Sequence, residues 1–558
     1  MSDFKISLIS PSNTTGFTEK LLPYENLGLG YLAAILRRNN FEVQILDLDS
    51  IGLKYKDFIG IVEDFKPDFI GLSPTWASIN NAIKIIKDVR KLNHDLITCF
   101  GGYVVSFSDK EVLNDYPQVD FIIRGEGENP LLNLVTKLMN NEPVDEILGL
   151  TYRNNDSIIQ NPIDNYIKDL DSIPFPERDT FEEIVKQENI YILNMITSRG
   201  CYWNCSFCIT AAFSRLCKKT PAWRGRSIRN VIEELKLLLN KFPQIHFLNF
   251  ADNNLFGPGK AGVRRVKEFA RALIDLDLNI KWSSSARADN FDKNDIELLE
   301  LLEASNVETL FVGIESGVQS QLDLFNKKIT IERNLETIQL FFQYKMPVQW
   351  GYIMFNPYIT FEELIRNAEF YFNELKYYSI HKMTMRLRAF PGTKLYNKIR
   401  EDGLLKNDFN YINVFNYDYI DKKVRITEKI LTNTIKQLYN EHAIIQNSEE
   451  MTDSLLSRIL NINLSHDIKK LQKFALQRDD IYKFIEKLNY INYEYFRNLL
   501  KLIKKGEIDV ELENNNAFVS EMINNQVKTI KELAKELDQK FHSFIKSLNI
   551  YIEGLKKR

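Results

Sequence analysis

The chain has 558 residues, 44% hydrophobic and 26% charged, with a mean hydropathy of −0.27. This excludes a disordered or collagen-like chain, and the length calls for two to four domains with sizeable cores. With 72 basic and 75 acidic residues the net charge is −3, which gives no general attraction to nucleic acid or to an anionic membrane surface.

The first ten residues, MSDFKISLIS, run straight into a strand pattern. They lack the basic leader, apolar stretch and cleavage site of a signal peptide. No apolar run reaches the roughly 18 residues a membrane span needs, so the expected location is cytoplasmic.

The first 150 residues alternate short apolar strands with amphipathic helices. The strands are predicted at Lys5–Ser10, Glu42–Leu48, Phe69–Ser73, Leu96–Phe100 and Asp120–Arg124, and the helices include Gly28–Asn39 and Ile79–Leu92. That pattern fits a doubly wound α/β domain whose ligands bind at the carboxyl ends of a parallel sheet. Residues 151–190, with Pro174 and Pro176 in DSIPFPERD, read as a linker.

From 191 to 405 a second alternating run follows. Its strands are predicted at Ile190–Thr197, Ile245–Asn249, Lys281–Ser285, Thr309–Gly313, Pro347–Met354 and Met383–Leu387, with helices such as Arg229–Lys241 and Gly262–Ile274. Six strand–helix units predict a partial (β/α)6 barrel, with its chemistry at the strand ends. Residues 406–558 contain no proline, and helical spacing in Glu428–Gln446 and Val527–Leu548 predicts a mostly helical C-terminal domain.

Of five cysteines, Cys201, Cys205, Cys208 and Cys217 fall within 17 residues, while Cys99 stands apart in an apolar strand. Such clustering points to a metal site in a reducing compartment, not to a disulfide framework. Three thiolates in Cys201–Tyr202–Trp203–Asn204–Cys205–Ser206–Phe207–Cys208 can face one point. Soft sulfur ligands suit an iron–sulfur cluster or zinc. A structural zinc normally takes four ligands, and the nearest fourth candidate, Cys217, lacks a paired spacing; ordinary thiols are the bland alternative.

CYWNCSFC resembles the CxxxCxΦC motif of the radical S-adenosylmethionine (SAM) superfamily, with Phe207 at the aromatic position. The resemblance implies a 4Fe–4S cluster on Cys201, Cys205 and Cys208, with one iron open for SAM. It further implies that Phe207 meets the adenine and that Asp252 and Asn253, in FADNN, hold the methionine amino group. Ser284 and Arg287, in WSSSARAD, would follow, with Arg287 suited to the methionine carboxylate. Glu315 and Ser316, in VGIESG, would take ribose hydroxyls. WRGRS and FPGTKL also look like family motifs. The family's glycine-rich turn GxPgeT reads FNPYIT here (Phe355–Thr360). Pro357 and Thr360 remain, but without the glycines close backbone approach is harder.

The first 180 residues resemble the cobalamin-binding domain fused to many radical SAM enzymes. The stretches are LLPYENLGLGYLAAILRRNNFEVQILDLD, KPDFIGLS, FGGYVVS, DFIIRGEGE and DSIPFPERD. The resemblance implies cobalamin at Gly101 and Gly102, at Gly125, Glu126 and Gly127, and at Ser73, Thr75 or Trp76. Neither family histidine is present: SPSNTTGFTEK stands in the DxHxxG loop, and Val104 replaces the histidine of GGxH. Cobalamin is therefore expected without a histidine on cobalt. A degenerate domain without cofactor is the alternative. No GxGxxG opens a helix after the first strand, which disfavours a dinucleotide.

The resemblance implies a cobalamin-dependent, class B-like radical SAM C-methyltransferase. SAM cleavage would give a 5′-deoxyadenosyl radical that takes hydrogen from an unactivated carbon, which then receives a methyl from methylcobalamin. No residue stands out as an acid, base or nucleophile: the six histidines are scattered, without HExxH, and GxSxG and GxxxxGK[ST] are absent. The substrate expected is a small molecule, lipid or peptide, with an external electron donor such as flavodoxin or ferredoxin. The C-terminal helices would cover the site, recognise substrate or simply pack. Two alternatives stand: a radical SAM enzyme that cyclises, rearranges or couples without methylating, and a non-enzymatic cofactor-binding sensor.

Overall fold

The structure is a computed structural model that describes residues 4–13, 25–155, 157–187, 192–278, 280–376, 383–406, 413–438, 468–508 and 517–556. Residues 14–20 of the SPSNTTGFTEK loop, the first two residues of the strand expected at 190–197, positions 439–446 of a predicted helix, and three histidines (381, 442 and 466) lie outside them. The chain divides into two units: residues 1–314, 322–351 and 388–417 form one, and residues 315–321, 352–387 and 418–558 the other.

The first unit carries strands β1 (Lys5–Ser10), β2 (Glu42–Asp47), β3 (Phe69–Leu72), β4 (Ile97–Phe100), β5 (Phe121–Ile123), β6 (Leu150–Asn154) and β7 (Ser157–Gln160). They form one sheet in the order β2-β1-β3-β4-β5-β6-β7. The first five are parallel, as predicted, and β6 and β7 add antiparallel. Both faces are covered. Ile9, Ile70, Leu72, Phe100 and Ile122 pack toward the helix Ile79–Leu92, and Ile6, Leu8, Phe69 and Ile123 toward the helix Leu27–Arg38. Burial on both faces explains why these strands read as continuous apolar runs.

The proline-rich connection is docked tightly. Glu177 N donates to Gly30 O at 3.1 Å, and a Cβ at Gly30 would lie 2.6 Å from the Glu177 carbonyl. Arg178 is buried between Glu25 and Glu234, with Nη2 2.7 Å from Glu234 Oε1.

The second run opens with β8 (Ile192–Met195), then β9 (Ser198–Gly200), β10 (Trp223–Gly225), β11 (Phe247–Phe250), β12 (Lys281–Arg287), β13 (Val307–Glu315) and β14 (Val348–Tyr352). Five form a sheet ordered β14-β13-β12-β11-β8, and β9 and β10 pair as an antiparallel hairpin. Helices Ile228–Lys241, Gly259–Asp275 and Ile331–Gln343 intervene. Trp282 packs edge-on against Phe250 and Phe269 on the helical side of this sheet. The sixth strand, expected over Met383–Leu387, is reduced among the described residues to one parallel bridge, Phe355 with Arg386.

The other unit is mostly helical: Phe361–Asn373, Lys422–Gln437, Ile468–Lys505 and Ala517–Lys556. Phe355, Phe372 and Phe496 meet in its core, and the Thr434 and Tyr495 hydroxyls lie 2.9 Å apart. Among the described residues no helix is long and apolar enough to cross a membrane.

Candidate functional site: a cysteine loop and a glycine-edged cavity

The cysteine loop leaves β9 through Gly200, whose φ is +81°. A Cβ there would lie 2.1 Å from the carbonyl oxygen of Ala222, so only glycine fits this turn. The loop is then fastened on several sides. Ser206 N donates to Phe325 O at 2.8 Å, Leu395 N donates to Ser206 O at 2.8 Å, and Asn326 Nδ2 donates to Asn204 O at 2.6 Å. Phe207 stands edge-on to Phe325, ring centres 5.3 Å apart.

Cys201, Cys205 and Cys208 are half-buried free thiols, and each sulfur faces a donor. Arg287 Nη1 lies 3.4 Å from Cys205 Sγ, Asn254 Nδ2 lies 3.9 Å from Cys201 Sγ, and the amides of Ala211 and Thr210 point at Cys208. Burial, with the neighbouring Cys205 and Cys201, pushes the Cys208 thiol up to about 11. Donors converging on sulfur are what thiolate ligands require, so the three residues fit an iron–sulfur cluster. Among the described residues no three His, Cys, Asp or Glu side chains gather as a single ion would need.

The residues expected around SAM divide. Asn253 is exposed, and its Oδ1 accepts from Thr210 Oγ1 at 2.9 Å. Asp252 instead turns inward: it accepts from Thr197 N at 3.0 Å, from Thr197 Oγ1 at 2.9 Å and from Ser198 Oγ. Burial raises its carboxyl, and those hydrogen bonds oppose the rise. Ser284 is likewise buried and donates to Phe250 O at 3.0 Å. Arg287 is held by Asp289 Oδ1 at 2.9 Å and Lys327 O at 2.7 Å, with its guanidinium 4.1 Å from the Trp203 ring centre. In the other unit, Glu315 ends β13 at φ +68°, a left-handed conformation seldom taken by such a residue. Ser316 Oγ donates to Asn367 Oδ1 at 2.7 Å. In FNPYIT, Thr360 and Glu363 cap the helix Phe361–Asn373 reciprocally.

Beside the flanks of the cysteine loop, at Gly200 and Phe213, is a cavity of about 310 Å³. One wall is the strand ends of the first sheet, with Ser73, Gly101–Tyr103 and Gly125–Glu128. The other is Ile196, Ser198–Gly200, Phe213, Arg224, Ala251 and Asn253. Thr75 and Trp76 do not line it: Thr75 bonds to Ser78 and Asn13, and Trp76 packs on Phe390 with ring centres 4.2 Å apart. A Cβ at Gly101 would meet nothing nearer than Ile123 O at 3.9 Å. The absent side chain thus leaves room that the protein does not fill, which fits the approach of a large macrocycle.

Glu126, expected at cobalamin, is committed to an ion-pair cluster. Arg224 holds both its oxygens, Arg199 lies 3.5 Å away, and Ile167 N donates to it at 2.8 Å. Arg199 also pairs with Glu128 at 2.7 Å and lies over the Tyr31 ring at 4.9 Å. Sequence reasoning missed Tyr31, Tyr103, Arg199 and Arg224. The one available signal was position: Tyr103 follows the glycine pair directly, and Arg199 and Arg224 sit beside motifs already recognised.

Comparison with known proteins identifies two domains. Residues 19–135 match the family model described as B12 binding domain, and residues 195–371 that of the radical SAM superfamily. The chain is 26% identical over 415 residues to the uncharacterized methyltransferase PH0819 of Pyrococcus horikoshii, covering 74% of this chain and 86% of that one. It is 27% identical over 347 residues to the anaerobic magnesium-protoporphyrin IX monomethyl ester cyclase of Rubrivivax gelatinosus, covering 60% of each. In fold it is similar to the cobalamin-dependent SAM radical enzyme OxsB, solved with aqua-cobalamin and SAM bound: TM-score 0.71, 20% identity, 98% of this chain and 84% of that one. The chain thus carries a B12-binding domain leading into a radical SAM domain, and these domains imply a 4Fe–4S cluster, SAM and cobalamin as its cofactors.

Proposed function

We propose that the enzyme methylates an unactivated carbon of a small-molecule, lipid or peptide substrate. The observation that carries this reading is the shared cavity: the glycine edge of the first sheet and the Asn253 end of the second open into the same space. Two cofactor sites facing one cavity suit a reaction in which one activates the substrate and the other delivers a group to it.

When bound, the cluster and SAM supply homolytic bond cleavage, cobalamin supplies the methyl group, and an external one-electron donor such as flavodoxin or ferredoxin supplies reducing equivalents. The residues of the chain do the rest. Cys201, Cys205 and Cys208 hold the cluster, with Arg287 and Asn254 directed at their sulfurs. Asn253 and Phe207 meet SAM. Asp252 and Ser284 act from behind, fixing the loop and strand ends that carry the contacts. Gly101 and Gly102 admit the macrocycle, and Gly125 and Gly127 border its tail. Among the described residues that line the cavity, none is a histidine that would ligate cobalt. The apolar side chains of the wall, such as Ile196 and Phe213, exclude water.

A product assay tests the reading. Methylation forms S-adenosylhomocysteine together with 5′-deoxyadenosine, each in proportion to product. The similarity to a cyclase favours a second reading, ring closure without methyl transfer. Deoxyadenosine without S-adenosylhomocysteine would select it.

A further inference from the structure

We propose that Phe311 and Ser283 select the substrate, and that the substrate is a neutral molecule carrying a planar ring and a hydrogen-bond donor. The inference rests on the reading of the chain as an enzyme of a small molecule, and deepens it. Residues of a strand alternate between the two faces of its sheet. One face of the second sheet is packed under helices: Phe250 and Trp282 meet Phe269, and Trp350 meets Phe341. A parallel sheet is ordinarily buried on its other face as well. Here that face is open. Phe311 lies between the buried Leu310 and Val312, in a strand paired on both sides, yet it is 41% exposed. Asn249, Ser283 and Ser285 are half-buried. Two residues beyond Ser285 the same face carries Arg287, directed at Cys205 Sγ. Two residues beyond Asn249 it carries Ala251 of the cavity wall. The open face therefore leads both to the cluster loop and to the cavity.

The Phe311 ring lies over Gly351 of β14, where a Cβ would stand 2.7 Å from Phe311 Cζ. A larger residue at 351 would lift the ring; glycine lets it rest against the sheet, as a flat surface on which another ring can stack. Beside it runs a hydrogen-bond chain with a fixed sense. The Glu25 carbonyl can only accept, and it takes Asn194 Nδ2 at 3.1 Å. Asn194 Oδ1 then accepts from Asn249 Nδ2 at 2.7 Å, and Asn249 Oδ1 accepts from Ser283 Oγ at 3.0 Å. The Ser283 proton is thereby committed, so its oxygen can only accept, and a ligand must bring an O–H or N–H to it. Phe311 is paired in register with Ser285, the next residue along the face from Ser283. Strand spacing and rise then put Phe311 and Ser283 about 8 Å apart, within reach of one small molecule. Lys281, paired with Glu308 at 2.6 Å, and Arg287, held by Asp289 at 2.9 Å, stand at the two ends of this stretch. Between them, among the described residues, the open face carries no ionic side chain. A charged ligand would meet no counter-charge there, so the site suits a neutral one.

The test is equilibrium dialysis of the cluster-reconstituted enzyme against 2-aminopurine riboside, without reductant, in the presence and absence of saturating SAM. This probe is neutral and fluorescent, with a planar ring and amino and hydroxyl donors. Wild type should retain it in both conditions. Phe311→Leu keeps the apolar bulk and removes the flat face, and Ser283→Ala removes the acceptor. Each should weaken probe binding at least about threefold, with iron content and SAM binding unchanged. No retention by wild type, or equal retention by wild type and both variants, overturns the assignment. Displacement of the probe by SAM also overturns it, because the ring surface would then belong to the adenine of SAM. The methylation reading is judged separately, by S-adenosylhomocysteine formation, and stands or falls without regard to the probe.

Discussion

Arg224 grips Glu126 with both ends of its guanidinium: Nη2 lies 2.7 Å from Oε1, and Nη1 lies 3.0 Å from Oε2. The arginine comes from the β9–β10 hairpin that launches the cysteine loop, and the glutamate follows β5 of the first sheet. Both side chains are buried. Removing Arg224 would leave the buried Glu126 carboxylate with Arg199 at 3.5 Å and the Ile167 amide as its remaining partners. Arg224→Ala should therefore destabilise by about 3–5 kcal/mol, and Arg224→Met with Glu126→Leu should recover most of it. Urea denaturation of the three proteins checks this; an Arg224→Ala variant as stable as wild type would show that the pair fastens nothing.

Burial pushes the Glu126 carboxyl up, but the bond from Arg224 and the charges of Arg199 and Arg224 outweigh it and hold the group below its usual range. Its contribution is present at neutral pH and lost as pH falls through that lowered value.

Asp47, which ends β2 and accepts from Asn26 N at 2.8 Å, behaves oppositely. Burial dominates and pushes its carboxyl up to about 6. A raised acid favours the folded state only while protonated, so its contribution declines from about pH 4 to pH 6. Asp47→Asn lacks that term. Its stability relative to wild type should rise by roughly 3 kcal/mol between pH 4 and pH 7. Paired denaturation curves at the two pH values measure it, and a difference independent of pH refutes it.

Gly101 and Gly125 separate binding from folding. A Cβ at Gly101 has room on the protein side, so Gly101→Val should stay within about 1 kcal/mol of wild type in stability. It would nevertheless project into the proposed cobalamin space, and bound cobalamin after anaerobic purification should fall at least about tenfold, or about 1.4 kcal/mol. Gly125 has φ +81°, and a Cβ there would lie 2.5 Å from Tyr166 Cε1. Gly125→Ala should lose stability itself. Full cobalamin loading of folded Gly101→Val would remove Gly101 from the site.

Much of this was legible in the chain. Strands Lys5–Ser10 and Phe69–Leu72 announce themselves because both faces are buried, so every position after Lys5 is apolar or small. The cysteine spacing and the glycine pairs mark backbone requirements, which sequence records directly. Side-chain direction at a strand end is different. Asp252 and Asn253 are neighbours, yet one turns in to Thr197 and Ser198 and the other out to the cavity. That choice depends on partners 55 residues away. The strands Leu150–Asn154 and Ser157–Gln160 were hidden for a related reason: an edge hairpin is half-exposed and polar, and reads as a connection.

Arg287 is where the expected role and the observed contacts differ most. An arginine that binds the SAM carboxylate should present a bidentate edge. Here Nε faces Asp289, Nη2 donates to Lys327 O, and Nη1 points at the Cys205 sulfur. Its charge and its N–H toward sulfur would both stabilise the more negative, reduced cluster, because hydrogen bonds to the sulfurs raise cluster potentials. Arg287→Gln should assemble a cluster of about four irons whose midpoint potential is more negative than wild type. Arg287→Lys, which retains the charge without the planar fork, should fall between them. Redox titration followed by electron paramagnetic resonance measures the potential, and equilibrium dialysis measures SAM binding on the same samples. An unchanged potential with SAM affinity lost would return Arg287 to the carboxylate; a lowered potential with SAM affinity kept would place it with the cluster.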